Sequence, residues 1–434
     1  MLLGTPTGFR DFSTEEMILR KKVLGKIEKC FIKYGFDPIE TPVIEYWETF
    51  KDKYGEEAET KLMYKFQDPW SKKWYALRFD LTVPMARFFS AQAFPIPFKR
   101  YHIGRVWRHD RPQKGRYREF WQADADIVGS PYPEADAELL DLTVNVFETL
   151  GFKNFSIKLN DRRLLRGIFE EELKLDNVIE VYRIIDKKDK IGTEGVIEGL
   201  KKLGLSAEKI DKIIEIISAE YRSEKLLEKY VEKFSGNKSV STSVSHLLEI
   251  LDYLGSKRQY VRFSLDLVRG LDYYTGPVWE VILNEVKIGS IAGGGRYDEL
   301  IKRYSGKDYP ATGTSFGVER IIDAGKELGI FKTDVKTYTK IYVISLGKNV
   351  YSSAWKIVRL LRDHGYSAQI DLMRRNEKKQ REYASKKGIP ILVYIGEREV
   401  RTETVTIYDR QRNKRYEVKQ SELLNIISQV LQDF

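Results

Sequence analysis

The hydrophobic periodicity of this chain changes several times along its 434 residues, which indicates several folding units rather than one. Residues 74–129 are strand-like, and two runs, 101–108 and 117–128, flank a polar loop and predict an antiparallel hairpin. Over residues 162–250, apolar side chains at helical spacing among lysines and glutamates predict a helical segment. Beyond about residue 333, short apolar strands alternate with helical stretches, and this βαβαβ pattern predicts a separate α/β domain.

Helix boundaries are marked most clearly near the N-terminus. Ser13 and Glu16 form the pattern of a capping box, and apolar residues at helical spacing follow until Gly35. Further elements are expected in chain order: helices over 83–94 and 135–150, strands over 261–268 and 278–283, a helix after Gly317, and, in the last domain, strands over 341–345, 368–370 and 391–395 with helices over 351–364 and 376–387.

The formal net charge of +10 is carried almost entirely by the last hundred residues. Residues 335–434 contain 20 Lys and Arg against 11 Asp and Glu, a net charge of +9. A basic unit joined to a nearly neutral remainder predicts a polyanionic partner, of which nucleic acid is the simplest. A solvated, lysine-rich surface explains the charge equally well on composition alone.

Composition and short motifs exclude several classes of protein. No run approaches the about 18 uncharged apolar residues that a membrane helix needs, and the first residues do not resemble a secretory signal. The single cysteine, Cys30, excludes an internal disulfide and any CxxC site. Four histidines without an HExxH pattern argue against a metal held by the protein alone. We therefore expect a soluble, cytoplasmic, multidomain protein with no membrane partner.

The loop of the predicted hairpin, residues 105–118, carries six arginines and lysines but one acid. Such a cluster repels itself unless an anion lies among the cations. Arginine predominates, and its planar guanidinium suits bidentate phosphate binding. The pattern favours a polyphosphate ligand over an exposed basic turn, because the arginines continue into both strands.

The strand after this loop alternates with a period of two. Phe120, Gln122, Asp124 and Asp126 share one face, while small and apolar residues occupy the other. A polar face with two carboxylates beside a basic hairpin suits an ammonium or imidazole ligand. An edge strand with a solvated face is the alternative.

Three further segments contain candidate ligand-binding or catalytic residues. A strand-like run ends by delivering Tyr273 and Tyr274 at a turn, either as walls of a pocket or as cover for a core. A glycine cluster within 292–298 is a weak sign of close backbone approach to a ligand. Residues 313–317 match G-x-S-x-G, but no apolar strand precedes them, so a nucleophile elbow at Ser315 is disfavoured.

In their order and spacing, these motifs resemble those of the class II histidyl-tRNA synthetases from end to end, most closely the archaeal and eukaryotic type. Residues 108–126 are similar to class II motif 2 and 313–321 to motif 3, while the first long helix with 41–45 resembles motif 1. The most specific matches are 267–274 and 292–298, which resemble the two histidine motifs of the family.

The resemblance implies an α+β fold: a class II synthetase antiparallel sheet flanked by helices, with a helical insertion and a C-terminal α/β anticodon-binding domain. The implied domains are 1–160 (catalytic, with motifs 1 and 2), 161–250 (helical insertion), 251–332 (catalytic, with the histidine motifs and motif 3) and 333–434 (anticodon-binding). It also implies ATP-dependent ligation of L-histidine to histidine tRNA through a histidyl-adenylate, with Mg²⁺, by a homodimer with motif 1 at its interface.

The site residues of the family carry over to the matching positions of this sequence. The implied catalytic residues are Arg108 and Arg269. The implied histidine-binding residues are Asp80, Leu81, Thr82, Arg108, Gln122, Asp126, Arg269, Tyr273, Tyr274 and Tyr297. The implied ATP-binding residues are Arg108, Asp110, Arg116, Phe120 and Arg320, and the implied contacts to the tRNA acceptor end are Arg111 and Gln113.

Within these sets the resemblance implies particular roles. Asp126 and Tyr274 would bracket the imidazole, and Phe120 would stack on adenine. Arg108 would hold the α-phosphate and the substrate carboxylate, with Arg269 approaching the α-phosphate from the opposite side. The α-amino group would be received by Asp80, Thr82 and Gln122.

Three other functions compete with this interpretation. The regulatory subunit of ATP phosphoribosyltransferase, a non-catalytic relative, would bind histidine without activating it, but such relatives tend to lack the C-terminal domain and the arginines that grip ATP. A plain RNA-binding protein would leave the motifs at 269–274 and 293–297 unexplained. An α/β-hydrolase built on Ser315 has the least support.

Overall fold

The computed structural model describes residues 3–54, 58–218, 220–221, 224–234, 236–268, 273–332 and 334–431. The chain forms two compact units, Met1–Asp11 with Val23–Phe331 and Phe12–Lys22 with Lys332–Phe434. The strands are β1 Asp37–Pro38, β2 Ile44–Tyr46, β3 Lys65–Gln67, β4 Trp74–Leu77, β5 Phe98–Trp107, β6 Glu119–Val128, β7 Phe155–Asp161, β8 Glu220–Tyr221, β9 Val261–Ser264, β10 Pro277–Leu283, β11 Ala292–Arg296, β12 Ala311–Gly317, β13 Ile341–Ser345, β14 Ala368–Ile370, β15 Ile391–Ile395, β16 Thr404–Asp409 and β17 Lys414–Lys419.

The α-helices run between these strands and are α1 Thr14–Lys33, α2 Trp47–Phe50, α3 Thr82–Ser90, α4 Pro133–Leu150, α5 Arg162–Arg166, α6 Val178–Ile185, α7 Lys188–Lys202, α8 Ala207–Ser218, α9 Glu224–Lys233, α10 Lys238–Leu254, α11 Asp298–Ser305, α12 Val318–Glu327, α13 Tyr351–Asp363, α14 Glu377–Lys386, α15 Glu397–Thr402 and α16 Leu423–Leu431. Among the described helices, none is both long and apolar enough to cross a membrane.

Nine strands of the first unit form one sheet in the order β1-β5-β6-β12-β11-β10-β7-β9-β8. From β5 to β7 every neighbouring pair is antiparallel. Helix α4 packs on β6 and β12, and α10 packs on α4. Helices α5 to α10 occupy the segment expected to be helical, with the two-residue strand β8 within it. The predicted antiparallel sheet flanked by helices is therefore confirmed.

The predicted hairpin is confirmed as β5 and β6. Strand β6 lies between β5 and β12, and residues 122–128 are buried, so the alternative of a solvated edge strand is wrong. The register places Arg100 opposite Asp126, His102 opposite Asp124 and Gly104 opposite Gln122. Since directly opposed residues in a sheet point to the same face, this pairing concentrates charge on one side of the sheet.

The capping box at the start of α1 is also confirmed. The Ser13 backbone N–H donates to Glu16 Oε2 at 2.8 Å, and the Glu16 backbone N–H donates to Ser13 Oγ at 3.3 Å. These two bonds satisfy donors that the first turn of a helix otherwise leaves unpaired. Gly35 follows the helix with φ of +71°, a conformation that glycine adopts without steric cost.

The second unit contains a five-stranded sheet in the order β14-β13-β15-β16-β17. The first three strands are parallel, as the βαβαβ pattern predicts, and β16 and β17 add an antiparallel hairpin. A core of buried aliphatic side chains from β13, β15 and α13 includes Val343, Val393 and Val358. The predicted C-terminal α/β domain is confirmed.

Candidate active site

A cavity of about 400 Å³ opens on the face of the large sheet that carries the polar side of β6. Its walls come from the hairpin loop, β6, β10, β11, β12 and the start of α12. The lining residues are Arg108, Asp110, Gly115, Arg116, Tyr117, Phe120, Gln122, Tyr274, Val278, Trp279, Glu280, Ser290, Ile291, Ala292, Gly293, Gly294, Ser315, Gly317, Glu319 and Arg320.

Three arginines, two from the hairpin loop and one from α12, line this cavity. Arg108 Nε donates to the Phe79 carbonyl at 3.0 Å, and its guanidinium lies 4.4 Å from the Phe79 ring centre. Arg320 donates to the Gly115 carbonyl at 2.8 Å and to the Ser290 carbonyl at 2.6 Å. Bonds to fixed carbonyls hold both guanidiniums in place before any ligand arrives.

The third arginine, Arg116, lies in the hairpin loop, where its guanidinium is 3.9 Å from Asp110. Gln113 and Arg116 exchange two backbone hydrogen bonds, 3.1 and 2.8 Å, which close the tip of the loop. Gln113 and Arg111 are exposed at this tip. The fourth predicted arginine, Arg269, lies outside the described residues.

The middle of the cavity floor is formed by β6 and β12. Phe120 and Gln122 line it, and Gln122 Nε2 donates to Ser315 Oγ at 2.6 Å. Ser315 lies inside β12, paired with Asp124 of β6 and Gly293 of β11. A nucleophile elbow requires a sharp turn from strand to helix at the serine, so the structure gives Ser315 no such role.

Strand β11 adds backbone rather than side chains to the floor. Its central residues are Gly293, Gly294 and Gly295. A Cβ at Gly294 would collide with the Gly313 carbonyl and with the Trp279 ring. The glycine cluster therefore permits both close strand packing and an open floor.

Behind the inner wall lies a buried cluster around Asp126. Its carboxylate accepts a hydrogen bond from the Tyr297 hydroxyl and lies 2.5 Å from Arg100 Nη2. The Tyr273 ring lies 5.7 Å from the Tyr297 ring and 5.1 Å from that of Tyr274. Burial raises the pKa of Tyr273 and Tyr297 well above the ordinary value, so both remain neutral phenols.

Asp80 approaches the same buried layer from the loop before α3. Its Oδ1 accepts the Val83 backbone N–H at 3.0 Å, and the Tyr54 hydroxyl also interacts with the buried carboxylate. Burial raises the pKa of Asp80, although the bond from Val83 and the charge of Arg108 oppose the rise. The neighbouring Leu81 and Thr82 are buried as well.

The structure thus places the predicted residues in two layers. Arg108, Asp110, Arg116, Phe120, Gln122, Tyr274 and Arg320 line the cavity. Asp80, Leu81, Thr82, Asp126, Tyr273 and Tyr297 are buried and do not line it.

Sequence reasoning missed several charged residues of this region, among them Arg100, Glu280 and Glu319. Arg100 is fully buried against Asp126, and a hairpin extended three residues earlier would have placed the two opposite each other. Glu319 is buried at the start of α12, lines the cavity and accepts the Trp121 backbone N–H at 2.8 Å.

No group of three or more His, Cys, Asp or Glu side chains suited to a metal occurs among the described residues. The carboxylates that line the cavity, Asp110, Glu280 and Glu319, come from three different elements. This arrangement fits a divalent ion that arrives with a polyphosphate, because Mg²⁺ commonly takes one or two protein carboxylates and completes its shell with phosphate and water.

An antiparallel sheet bearing this arginine-lined cavity, in a chain that also carries a basic α/β unit, defines a class II aminoacyl-tRNA synthetase. A family model described as histidyl-tRNA synthetase matches residues 8–321. A second, described as an anticodon binding domain, matches residues 340–430. The chain belongs to the histidyl-tRNA synthetase family.

Known proteins resemble this chain over nearly its whole length. A histidine–tRNA ligase of Aeropyrum pernix is 52% identical over 98% of both chains. One of Gloeobacter violaceus is 40% identical over 91% of each. The crystal structure of histidyl-tRNA synthetase from Nostoc sp. superposes with a TM-score of 0.85 at 28% identity, covering 99% of this chain and 100% of that one.

Proposed function

We propose that this cavity activates L-histidine with ATP and that the resulting adenylate is transferred to histidine tRNA. The observation that carries the proposal is the convergence of Arg108, Arg116 and Arg320 on one cavity whose floor continues into a buried, carboxylate-rich cluster. An arginine-lined cavity suits a triphosphate, and a carboxylate-rich inner end suits a substrate that carries an ammonium and an imidazole.

In the first step the histidine carboxylate attacks the α-phosphorus of ATP and releases pyrophosphate. Arg108, held by the Phe79 carbonyl, neutralises the two anions that must meet, and Arg116 and Arg320 grip the remaining phosphates. Fixed cations contribute to catalysis because they need no reorganisation as charge develops. Phe120 stacks on adenine, and for Arg269, which lies outside the described residues, the family resemblance implies a role at the α-phosphate.

The amino acid is held at the inner end of the cavity. Asp80, Thr82 and Gln122 receive its α-amino group, and Tyr274 and Asp126 face its ring, with Tyr273, Tyr297 and Leu81 enclosing the pocket. Synthetases use ATP with a divalent metal, and we propose that this metal is Mg²⁺. Asp110 and Glu319, two carboxylates that line the cavity, would hold the ion together with the phosphates. In the second step the terminal ribose hydroxyl of the tRNA attacks the acyl carbon and releases AMP.

The first test is ATP–pyrophosphate exchange with each proteinogenic amino acid in turn. We expect exchange to depend on L-histidine, because the arginines that grip ATP are present and ordered. A folded protein that binds histidine but catalyses no exchange would instead identify a regulatory relative of the enzyme.

The basic C-terminal unit and the hairpin tip are proposed to hold the tRNA. The unit carries a net charge of +9 over residues 335–434, and Arg111 and Gln113 are exposed for contact with the acceptor end. Because tRNA is charged where proteins are made, we propose a cytoplasmic location.

This proposal predicts different salt responses for the two half-reactions. Release of counterions from about two to four phosphates should raise the KM for tRNA about 10- to 100-fold between about 50 and about 200 mM salt. The KM for histidine in exchange should change far less, because its contacts are buried. Equal salt dependence of both constants would contradict the assignment of tRNA binding to this charge.

Domain boundaries at 1–160, 161–250, 251–332 and 333–434 remain our proposal. Support comes from the gap between the two family models, at residues 322–339, and from the run of helices α5 to α10.

We also propose a homodimer. One face of the small sheet in the order β2-β4-β3 exposes Ile44, Tyr46 and Phe66. Contiguous exposed aromatic surface of this kind is characteristic of an interface, and β2 belongs to the segment that resembles motif 1.

A further inference from the structure

Helix α10 is hydrogen-bonded to α4 through a buried pair that the functional assignment above leaves unused. His246, on the buried face of α10, has its Nε2 atom 2.8 Å from Asp136 Oδ2 of α4. Asp136 is 0% exposed and His246 is 8% exposed, and neither residue lines the cavity. Because burial of polar groups costs free energy unless they are paired, the other contacts of Asp136 show what this pair can affect.

The direction of this hydrogen bond follows from the charge of Asp136. Burial tends to raise the pKa of this carboxyl, but the hydrogen bonds from His246 and Arg296 and the charge of Arg296 outweigh burial and lower it. Asp136 is therefore ionised and has no proton to donate, so Nε2 of His246 carries the proton and donates it. A side chain without an N–H at this position removes the bond.

The same carboxylate oxygen is the main partner of Arg296, at the end of β11. Arg296 donates to Asp136 Oδ2 from Nη2 at 2.7 Å and from Nε at 3.0 Å. Among the described residues, no hydrogen bond of good geometry reaches Asp136 Oδ1. Arginine commonly donates one N–H to each oxygen of a carboxylate, whereas here both N–H groups and His246 share one oxygen. Without His246 the carboxylate can rotate and present both oxygens to the guanidinium, which would move Arg296.

Residue 296 is linked to two tyrosines of the proposed amino-acid pocket. Tyr297 follows it directly and donates from its hydroxyl to Asp126. The Arg296 carbonyl accepts the Thr275 backbone N–H at 2.8 Å, and Thr275 directly follows Tyr274 of the cavity wall. The side chain of Arg296 is only 2% exposed. Because protein interiors are closely packed and transmit strain, a shift of Arg296 would reach both tyrosines.

We propose that His246 is a positioning residue that raises the affinity of the site for histidine. It holds the Asp136 carboxylate in the orientation that fixes Arg296, and Arg296 in turn fixes the two tyrosines of the pocket. The proposal rests on the proposed function and adds a residue outside the cavity that acts on it. Helix α10, the last of the run α5 to α10, thereby takes part in amino-acid binding.

The effect of His246 should be confined to the amino-acid end of the cavity. Arg108, proposed to act on the α-phosphate, is held by the Phe79 carbonyl. Arg320, proposed to grip the remaining phosphates, is held by the Gly115 carbonyl. Neither of these bonds involves α4 or α10. We therefore expect the KM for ATP to be nearly insensitive to substitution of His246.

The test compares His246→Phe and His246→Gln with the wild-type chain in ATP–pyrophosphate exchange. Phe keeps a ring but has no N–H, whereas Gln retains an amide N–H. We expect the KM for histidine to rise about 3- to 30-fold in His246→Phe, the range expected for a substitution that acts through a network of contacts. In His246→Gln the rise should stay below about twofold. The KM for ATP and kcat should change less than about twofold in both variants.

Tyr253→Phe is the matched control. Tyr253 lies on the same helix, and its hydroxyl donates to Glu134 Oε1 of α4 at 2.8 Å, so this variant also removes a hydrogen bond between α10 and α4. The bond is exposed and does not involve Asp136. We expect the KM for histidine to remain within about twofold of wild type. Thermal unfolding of all three variants checks that a changed KM does not reflect a misfolded chain.

Four results would overturn the proposal. They are an unchanged KM for histidine in folded His246→Phe, an equal rise in the KM for ATP, a His246→Gln variant as impaired as His246→Phe, and an equal rise in Tyr253→Phe. Calorimetric titration with histidine in the absence of ATP measures the same affinities without catalysis, and it keeps the comparison valid if one variant turns over too slowly. A wild-type chain that binds histidine without exchange would refute the proposed function, whereas the order of affinities among the variants would still test His246.

Discussion

Arg108→Ala should lower kcat/KM for histidine-dependent pyrophosphate exchange by about 10²- to 10³-fold, the range seen when one preorganised donor to a developing charge is removed. Its guanidinium donates a hydrogen bond to the Phe79 carbonyl and lies 4.4 and 5.2 Å from the centres of the Phe79 and Phe120 rings. Loss of a cation that acts chiefly on the transition state should reduce kcat more than it raises the KM for histidine. Steady-state exchange kinetics over both substrates measure the split.

Arg105→Ala is the matched control for this prediction. Arg105 lies near the end of β5, three residues before Arg108, is 45% exposed and makes a 3.7 Å ion pair with Glu119 outside the cavity. Its removal should change kcat/KM less than about twofold, since exposed ion pairs contribute little. Similar losses in both variants would show that the hairpin needs its total charge rather than a cation at position 108.

Arg296→Met should lower the free energy of unfolding of the first unit by about 3–5 kcal/mol, because it leaves a buried carboxylate without its main cationic partner. Arg296 donates to Asp136 Oδ2 from Nη2 at 2.7 Å and from Nε at 3.0 Å, and Asp136 is 0% exposed. The same guanidinium donates to the carbonyls of Ser130 and Tyr132. Denaturant unfolding followed by tryptophan fluorescence measures the loss.

Arg303→Met provides the comparison, because Arg303 is exposed on α11 and donates to the Asp52 carbonyl. An equal loss of stability in both variants would contradict the special role of the buried pair.

The pH dependence of stability gives a second check. Burial tends to raise the pKa of Asp136, but the bonds from His246 and Arg296 outweigh it, so the pKa is lowered. The stabilisation is therefore complete above about pH 4 and is lost as the pH falls through the lower folded pKa.

Sequence patterns correctly predicted the elements that depend only on residues close together in the chain. Ser13 and Glu16 can form a capping box without tertiary help, and the alternation from Phe120 to Asp126 follows from the geometry of any strand. The parallel strands of the second unit are short apolar runs separated by helices, and such a pattern has few other solutions.

Features that depend on partners distant in sequence were not predictable in this way. Nothing near Asp126 in sequence shows which groups its carboxylate contacts. Its partner Tyr297 is 171 residues away along the chain. The order of strands was likewise hidden, since β6 gives no sign that its second neighbour is β12. The family resemblance predicted which residues form the site, whereas their burial and their hydrogen-bond partners follow only from the fold.

The pairing of β6 with β12 has a consequence for synthesis of the chain. Val128 lies opposite Ala311, and all of the helices from α4 to α11 are translated between these two strands. Strand β6 therefore leaves the ribosome long before β12, the strand that pairs with it. Contacts of such long range fold slowly. The cavity of the nascent chain accordingly lacks one of its arginine walls until Arg320 has been translated.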